Sequence, residues 1–296
     1  HLLKLEGMPS AAMEEILAST EVIKAKRGGG EAKPLDGQTW AMIFTKSSTR
    51  TRVSFEVGIR ELGGSVMFLN ANDMQLGRGE PIKDTARVLG RMVHGAVIRT
   101  FAQADVEEFA EYSGIPTINA LTDDEHPCQI LTDIFTFQER RGPIRGKVVT
   151  YVGDGGCNVP VSWVHAAAAL DFELRIAAPS EFQPSAETLA KAGGNISCTQ
   201  DIRAAVKGAD MVYTDVWVSM GMEAEAEERL AKLAGYQING GLMCLAKPDA
   251  LVMHCLPAYR GKEIDAETFE AHADTIFTQA ENRLHTQKAI LAWLAG

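Results

Sequence analysis

The stretch Trp40-Ala-Met-Ile-Phe-Thr-Lys-Ser-Ser-Thr-Arg-Thr-Arg-Val-Ser-Phe-Glu56 decides how the chain is read. Its apolar opening, Trp40 to Phe44, has the length and character of a buried strand. A helix-like run from Val53 to Leu62 follows. Between and into them fall three cations (Lys46, Arg50, Arg52) and five hydroxyls (Ser47, Ser48, Thr49, Thr51, Ser54), all within nine residues. A helix N-terminus adds unpaired backbone N–H groups and the positive end of a dipole. Hydroxyl donors and a planar guanidinium then complete a site for an anion with several peripheral oxygens, such as phosphate. The plainer reading is a capped helix with a solvated basic face, but a cap needs one hydroxyl and not five. The glycine-lysine spacing of a Walker loop is absent.

Outward from this junction the same alternation recurs. Strands are expected at Trp40–Phe44, Ser65–Leu69, Ala96–Thr100, Thr117–Asn119, Lys147–Val152, Glu173–Ala177, Met211–Asp215, Leu251–Met253 and Thr275–Phe277, with helical patterns between most of them. Pro81 and Pro127 read as first-turn prolines. Regular alternation predicts an α/β protein with parallel sheets flanked by helices. Arg140-Arg-Gly-Pro-Ile-Arg-Gly-Lys147 is the best break between two domains. Loops at the carboxyl ends of the strands would form the ligand crevice.

The bulk numbers narrow the class. A chain of 296 residues with 46% hydrophobic and 23% charged content is ordinary for a globular protein with a full core. A formal net charge of -10 argues against generic nucleic-acid binding. No apolar run is long enough for a membrane span, and His1 to Glu6 lacks a signal-peptide core. Five scattered cysteines without a CxxC pair fit a reducing, cytoplasmic compartment and argue against a zinc site or a disulfide framework.

Further segments supply chemistry. Gln75-Leu-Gly-Arg-Gly-Glu-Pro81 is a flexible loop before a helix, and Arg99 ends a strand where it can enter the crevice. In His126-Pro-Cys-Gln129 the histidine sits near a helix cap with Gln129 about one turn on. The dipole there favours neutral imidazole, so both groups can donate to a carbonyl oxygen that gains charge. Tyr151-Val-Gly-Asp-Gly-Gly-Cys-Asn158 follows a strand but lacks dinucleotide-binding glycine spacing. Asp215 and Ser219, in Thr214-Asp-Val-Trp-Val-Ser-Met-Gly221, could hold a charged amino group, or Asp215 could simply cap a turn. Cys255, in His254-Cys-Leu-Pro257, could have a lowered pKa beside cations or be a buried inert thiol. Arg283 lies in a C-terminal helix.

Taken together, Ser-Thr-Arg-Thr-Arg at 48–52, His-Pro-Cys-Gln at 126–129, Asp-Val-Trp-Val-Ser-Met-Gly at 215–221 and His-Cys-Leu-Pro at 254–257 closely resemble the aspartate/ornithine carbamoyltransferase family, on its ornithine branch. The resemblance implies two Rossmann-like lobes: a carbamoyl-phosphate-binding domain over 1–136 with a C-terminal helix, 280–296, packing back on it, and an ornithine-binding domain over 137–279. It implies carbamoyl transfer from carbamoyl phosphate to the δ-amine of L-ornithine, with no metal and no organic cofactor, in a homotrimer or a multiple of trimers. Other amine acceptors (putrescine or an acylated ornithine) stand as alternatives, as does a non-catalytic phosphate-binding regulatory module. Carbamoyl phosphate contacts carried over by motif are Ser48, Thr49, Arg50, Thr51, Arg99, His126, Gln129, Cys255, Leu256 and Arg283, with Gln75 reaching in from a neighbouring subunit. Ornithine would meet Asn158, Asp215, Ser219 and Met220, with Cys255 near the reacting amine; Arg50, Arg99, His126 and Cys255 are the expected catalytic set. One departure stands out: the family's doubled asparagine is Cys157-Asn158 here.

Overall fold

The computed structural model describes residues 1–30, 32–70, 74, 79–219 and 223–296. Two compact units divide the chain: His1–Phe135 with Glu281–Gly296, and Thr136–Ala280. The chain leaves the first unit within one long helix and returns to it within another.

In the first unit the order is α1 (Ser10–Ala25), β1 (Thr39–Phe44), α2 (Thr49–Glu61), β2 (Ser65–Asn70), α3 (Ile82–Leu89), β3 (Gly95–Arg99), α4 (Gln103–Ser113), β4 (Thr117–Leu121) and α5 (Pro127–Arg141). All four strands are parallel, in the order β2-β1-β3-β4. β1 and β3 are buried along almost their whole length, as expected of strands covered on both faces. Their pairing ends at Phe44 opposite Arg99, and β1 feeds α2 toward β2 while β3 lies on its other side. That reversal is a topological switch point, and it places the loop 45–48 and Arg99 at one crevice. Gly95 is required where β3 passes β1, since a Cβ there would lie 2.6 Å from the Trp40 ring.

The second unit runs β5 (Val148–Val152), α6 (Asn158–Leu170), β6 (Glu173–Ala177), α7 (Ala186–Ala192), β7 (Ile196–Thr199), α8 (Ile202–Val206), β8 (Met211–Thr214), α9 (Ala226–Leu233), α10 (Gly240–Met243), β9 (Leu251–His254), α11 (Ala266–Ala271) and α12 (Ala273–Ala295). Its five parallel strands are ordered β7-β6-β5-β8-β9. Trp163 packs edge-on against both Phe172 and Tyr213, and Tyr213 stacks on Tyr151. The switch point here lies between β5 and β8, where Val152 pairs with Thr214. It therefore gathers the loop 153–157 and the segment that starts at Asp215.

The α/β architecture is the expected one, with two corrections. Thr275–Phe277, read as a strand, lies inside the 23-residue helix α12. Its Thr-Ile-Phe content mimics a strand, but burial of Ile276, Gln279 and Arg283 follows a helical period. Conversely, β7 was missed, because it is a four-residue edge strand whose side chains are half-exposed and carry no apolar run. The distal part of α12 packs back on the first unit, where Lys288 Nζ meets Glu61 at 2.7 Å and Lys24 Nζ meets Asn282 at 2.8 Å.

Candidate active site

In the first unit the three cations of the opening stretch meet three different fates. Lys46 is buried, ion-paired with Asp123 and lying 4.1 Å from the Phe101 ring centroid. It thereby joins the loops after β1, β3 and β4 and serves as a staple. Arg52 stacks its guanidinium 3.6 Å from the Phe68 ring centroid and approaches Glu56. Arg50 is exposed at the start of α2 and has no ion pair among the described residues. Ser48 caps that helix, accepting from the Thr51 N–H at 3.3 Å. Ser48 is half-buried, Thr49 exposed and Thr51 buried.

Behind this N-terminus lies a buried polar cluster. Arg283, from α12, donates to Gln129 Oε1 and, at 3.3 Å, to Thr51 Oγ1. Gln129 Nε2 in turn donates to Asp133 Oδ1 at 2.8 Å, one turn along α5. Arg99 and His126 are also buried. Burial, then the nearby Arg283 and Arg99 charges, hold the His126 imidazole well below its ordinary pKa, so it is neutral. Cys128 faces the interior, and burial pushes its thiol up to about 12, so it is inert. Thr51, Arg99, His126, Gln129 and Arg283 are thus gathered in one unit, a concentration of donors around the N-terminus of α2. Such a set accepts a dianion and a carbonyl oxygen.

In the second unit Cys255 Sγ donates to Asp215 Oδ1 at 2.8 Å, joining the ends of β8 and β9. Burial raises the Asp215 carboxyl above the usual range, against the opposing hydrogen bonds from the Cys255 thiol and the Val216 N–H. His254 Nδ1 accepts from the Leu256 N–H at 2.8 Å, so the ring proton sits on Nε2 and points to Glu263 at 3.1 Å. Glu263 also accepts from the Tyr259 N–H. These bonds fix the turn 255–259, in which Leu256 adopts a left-handed φ of 60°. Asp215, His254 and Cys255 each offer one metal-ligating atom within 4.8 Å of the others, although both His254 nitrogens already have protein partners.

Asn158 is the first, half-buried residue of α6, and Ser219 is half-buried beyond β8. Cys157 turns inward, its thiol donating to the Asp154 carbonyl at 3.2 Å. Burial raises the Cys157 thiol well above its ordinary value. Gln75 and Met220 lie outside the described residues. The sequence reading gave no role to Glu263, Asp133, Asp154 or Arg229. Buried charged partners have no spacing signal of their own, although Asp154 stood inside a motif already singled out.

The comparisons with known proteins agree with this layout. The family model "Aspartate/ornithine carbamoyltransferase, carbamoyl-P binding domain" matches residues 1–139, and "Aspartate/ornithine carbamoyltransferase, Asp/Orn binding domain" matches 145–294. The ornithine carbamoyltransferase of Akkermansia muciniphila is 54% identical over 100% of this chain and 98% of its own. The solved ornithine carbamoyltransferase of Pyrococcus furiosus superposes with a TM-score of 0.93 at 44% identity, over 100% of this chain and 96% of that one. The anabolic ornithine carbamoyltransferase of Campylobacter jejuni gives 0.94 at 43% identity, over 99% and 98%. With both domain models matched in order and full-length similarity at this level, the chain belongs to the aspartate/ornithine carbamoyltransferase family.

Proposed function

We propose that this chain transfers the carbamoyl group of carbamoyl phosphate to the δ-amine of L-ornithine, giving L-citrulline and phosphate. The observation that carries the proposal is the buried Arg283–Gln129–Thr51 cluster beside neutral His126 and Arg99, under the exposed Arg50 and the N-terminus of α2. Arg50, Arg99 and Arg283 neutralise the phosphate and stabilise it as it leaves. Thr51, His126 and Gln129 aim donors at the carbonyl oxygen as the tetrahedral centre forms.

The amine nitrogen attacks the carbonyl carbon, and the bond from that carbon to the phosphate oxygen breaks. Reaction needs the neutral amine, and deprotonating an alkylamine of pKa about 10.4 at pH 7 costs about 4–5 kcal/mol. Asp215 favours an ammonium and so serves the α-amino group, with Asn158 and Ser219 as further polar contacts. The Cys255 thiol is engaged as a donor to Asp215, and sulfur is a weak acceptor. The departing phosphate is the better acceptor for the amine's proton.

The active assembly is a homotrimer or a multiple of trimers in this reading. Edge strand β2 leaves Met67 exposed, and Val53 on α2 is exposed as well. A cavity of about 410 Å³ lined by Lys46, Ser48, Thr49, Arg52, Phe68 and Asn70 opens beside them. A solution mass of three times 32.1 kDa, or a whole multiple of that, is the expected result, and a monomer or dimer would overturn it.

Purified protein with carbamoyl phosphate and L-ornithine should form citrulline, while putrescine, N-acetylornithine and aspartate should not be carbamoylated. Turnover with one of those amines in place of ornithine would overturn the acceptor assignment. No turnover with any of them would overturn the enzymatic reading itself.

A further inference from the structure

Arg229 is a buried cation that the proposed chemistry does not use. It lies on α9 and is 6% exposed, with Asp154 at 5%. One end of its guanidinium is ion-paired with Asp154, in the loop after β5. Its Nε donates to the Trp217 carbonyl at 2.9 Å, in the segment after β8. Its plane lies 4.8 Å from the ring centroid of Phe182, in the loop after β6. One side chain therefore touches all three loops at the β6-β5-β8 edge of the crevice. Asp154 extends the grip, since its second oxygen accepts from the Gly156 N–H at 3.0 Å and its carbonyl accepts from Cys157.

The residues so held are neighbours of those assigned to ornithine. Trp217 sits between Asp215 and Ser219, and Gly156 and Cys157 lead directly into Asn158. Only a planar fork can bond a carboxylate and a carbonyl on different loops while stacking on a ring; an ammonium on a flexible stem cannot. A buried ion pair is weak evidence for stability, because desolvation offsets much of its attraction, so its retention here calls for another role.

We infer that Arg229, with Asp154, is a positioning residue for amino-acid recognition: it locks the 154–158 and 215–219 segments in the register that lets Asn158, Asp215 and Ser219 meet one substrate. The inference rests on the ornithine assignment above. It concerns the second unit alone, so carbamoyl phosphate binding stays intact when the lock is removed.

The test compares R229K, R229M and the double variant D154N/R229M with the parent enzyme. In each variant KM for ornithine should rise about tenfold to a hundredfold, the scale of a small misplacement of a binding group. KM for carbamoyl phosphate should change less than about twofold, and kcat at saturating ornithine should fall by a smaller factor than KM rises. Binding of norvaline, an amino acid without the reacting amine, should weaken in parallel. The double variant removes the unpaired buried charge and should recover the thermal midpoint lost in R229M. If its ornithine KM recovers too, the pair merely balances charge and the inference is overturned. R229K with a parental ornithine KM overturns it as well, and that variant keeps the test alive if R229M does not fold. A parent enzyme that makes no citrulline would instead sink the ornithine assignment.

Discussion

Arg283 donates to the side-chain oxygen of Gln129, a residue 154 positions earlier in the chain. The bond joins α12 to the first turn of α5, and a second donor of the same guanidinium reaches Thr51 on α2. Three helices are thus keyed to one buried cation. Arg50, two residues from the cap of α2, has no such ties among the described residues and is exposed.

The two arginines should therefore separate stability from catalysis. Arg50→Ala removes a clamp on the dianion and little else. It should lower kcat/KM for carbamoyl phosphate by about 10²–10³-fold while moving stability by less than about 0.5 kcal/mol. Arg283→Ala should cause a similar kinetic loss and also destabilise the fold by about 1–3 kcal/mol, since Gln129 and Thr51 lose a buried partner. Steady-state kinetics and denaturant melts on the two variants check this. A near-parental kcat/KM for Arg50→Ala would remove that residue from the proposed site.

How far this site could be read from sequence depends on the kind of contact. The strand-loop-helix unit at Trp40–Glu61 and the crevice loops were legible, because apolar runs and caps are local signals. The placement of Arg99, His126 and Gln129 near strand or helix ends was legible for the same reason. The role of Lys46 was not: in sequence it is one more cation beside Arg50, and its partners Asp123 and Phe101 come from loops brought in by β3 and β4. Arg229 shows the same limit in the second unit, where its partners Asp154, Phe182 and Trp217 lie on three other loops. Each unit thus staples its crevice with a buried cation that only the topology reveals.

The state of His126 leads to a prediction in pH. Its folded pKa lies well below 6.5, chiefly through burial, so below pH 6.5 the unfolded chain binds a proton that the folded chain refuses. Stability is then fully present above that pH and falls as pH drops toward the folded value. The slope is about 1.4 kcal/mol per pH unit for each such group. His272 and His285 are lowered by burial too and add to the loss. Denaturant melts between pH 7.5 and about 5 should show the decline, and His126→Asn should make it shallower. An unchanged slope in that variant would mean that His126 titrates normally.

Gly155 gives a steric prediction. A Cβ at this position would lie 2.6 Å from Ile176 Cγ2 and 3.0 Å from the Phe182 carbonyl. The neighbouring backbone must move to admit a methyl group, and it carries Asp154 on one side and leads to Asn158 on the other. Gly155→Ala should destabilise by about 1–3 kcal/mol, the range for overpacking. It should raise KM for ornithine and leave that for carbamoyl phosphate unchanged. A variant with parental stability would show that the 153–157 loop yields easily.

Gln287 points the other way, to a stabilising change. It is fully buried in α12, and neither its amide nitrogen nor its amide oxygen has a hydrogen-bond partner among the described residues. Burying an unpaired amide costs about 1–3 kcal/mol, whereas an apolar side chain of similar length has no such debt. Leucine and methionine also favour helix at least as well as glutamine. Gln287→Met should raise stability by about 1 kcal/mol or more, roughly 2–4 °C in the thermal midpoint. Because Arg283 sits one turn earlier on the same helix, kcat/KM serves as the control and should stay parental. A lower midpoint for Gln287→Met would show that the amide is bonded in solution and that its burial is already offset.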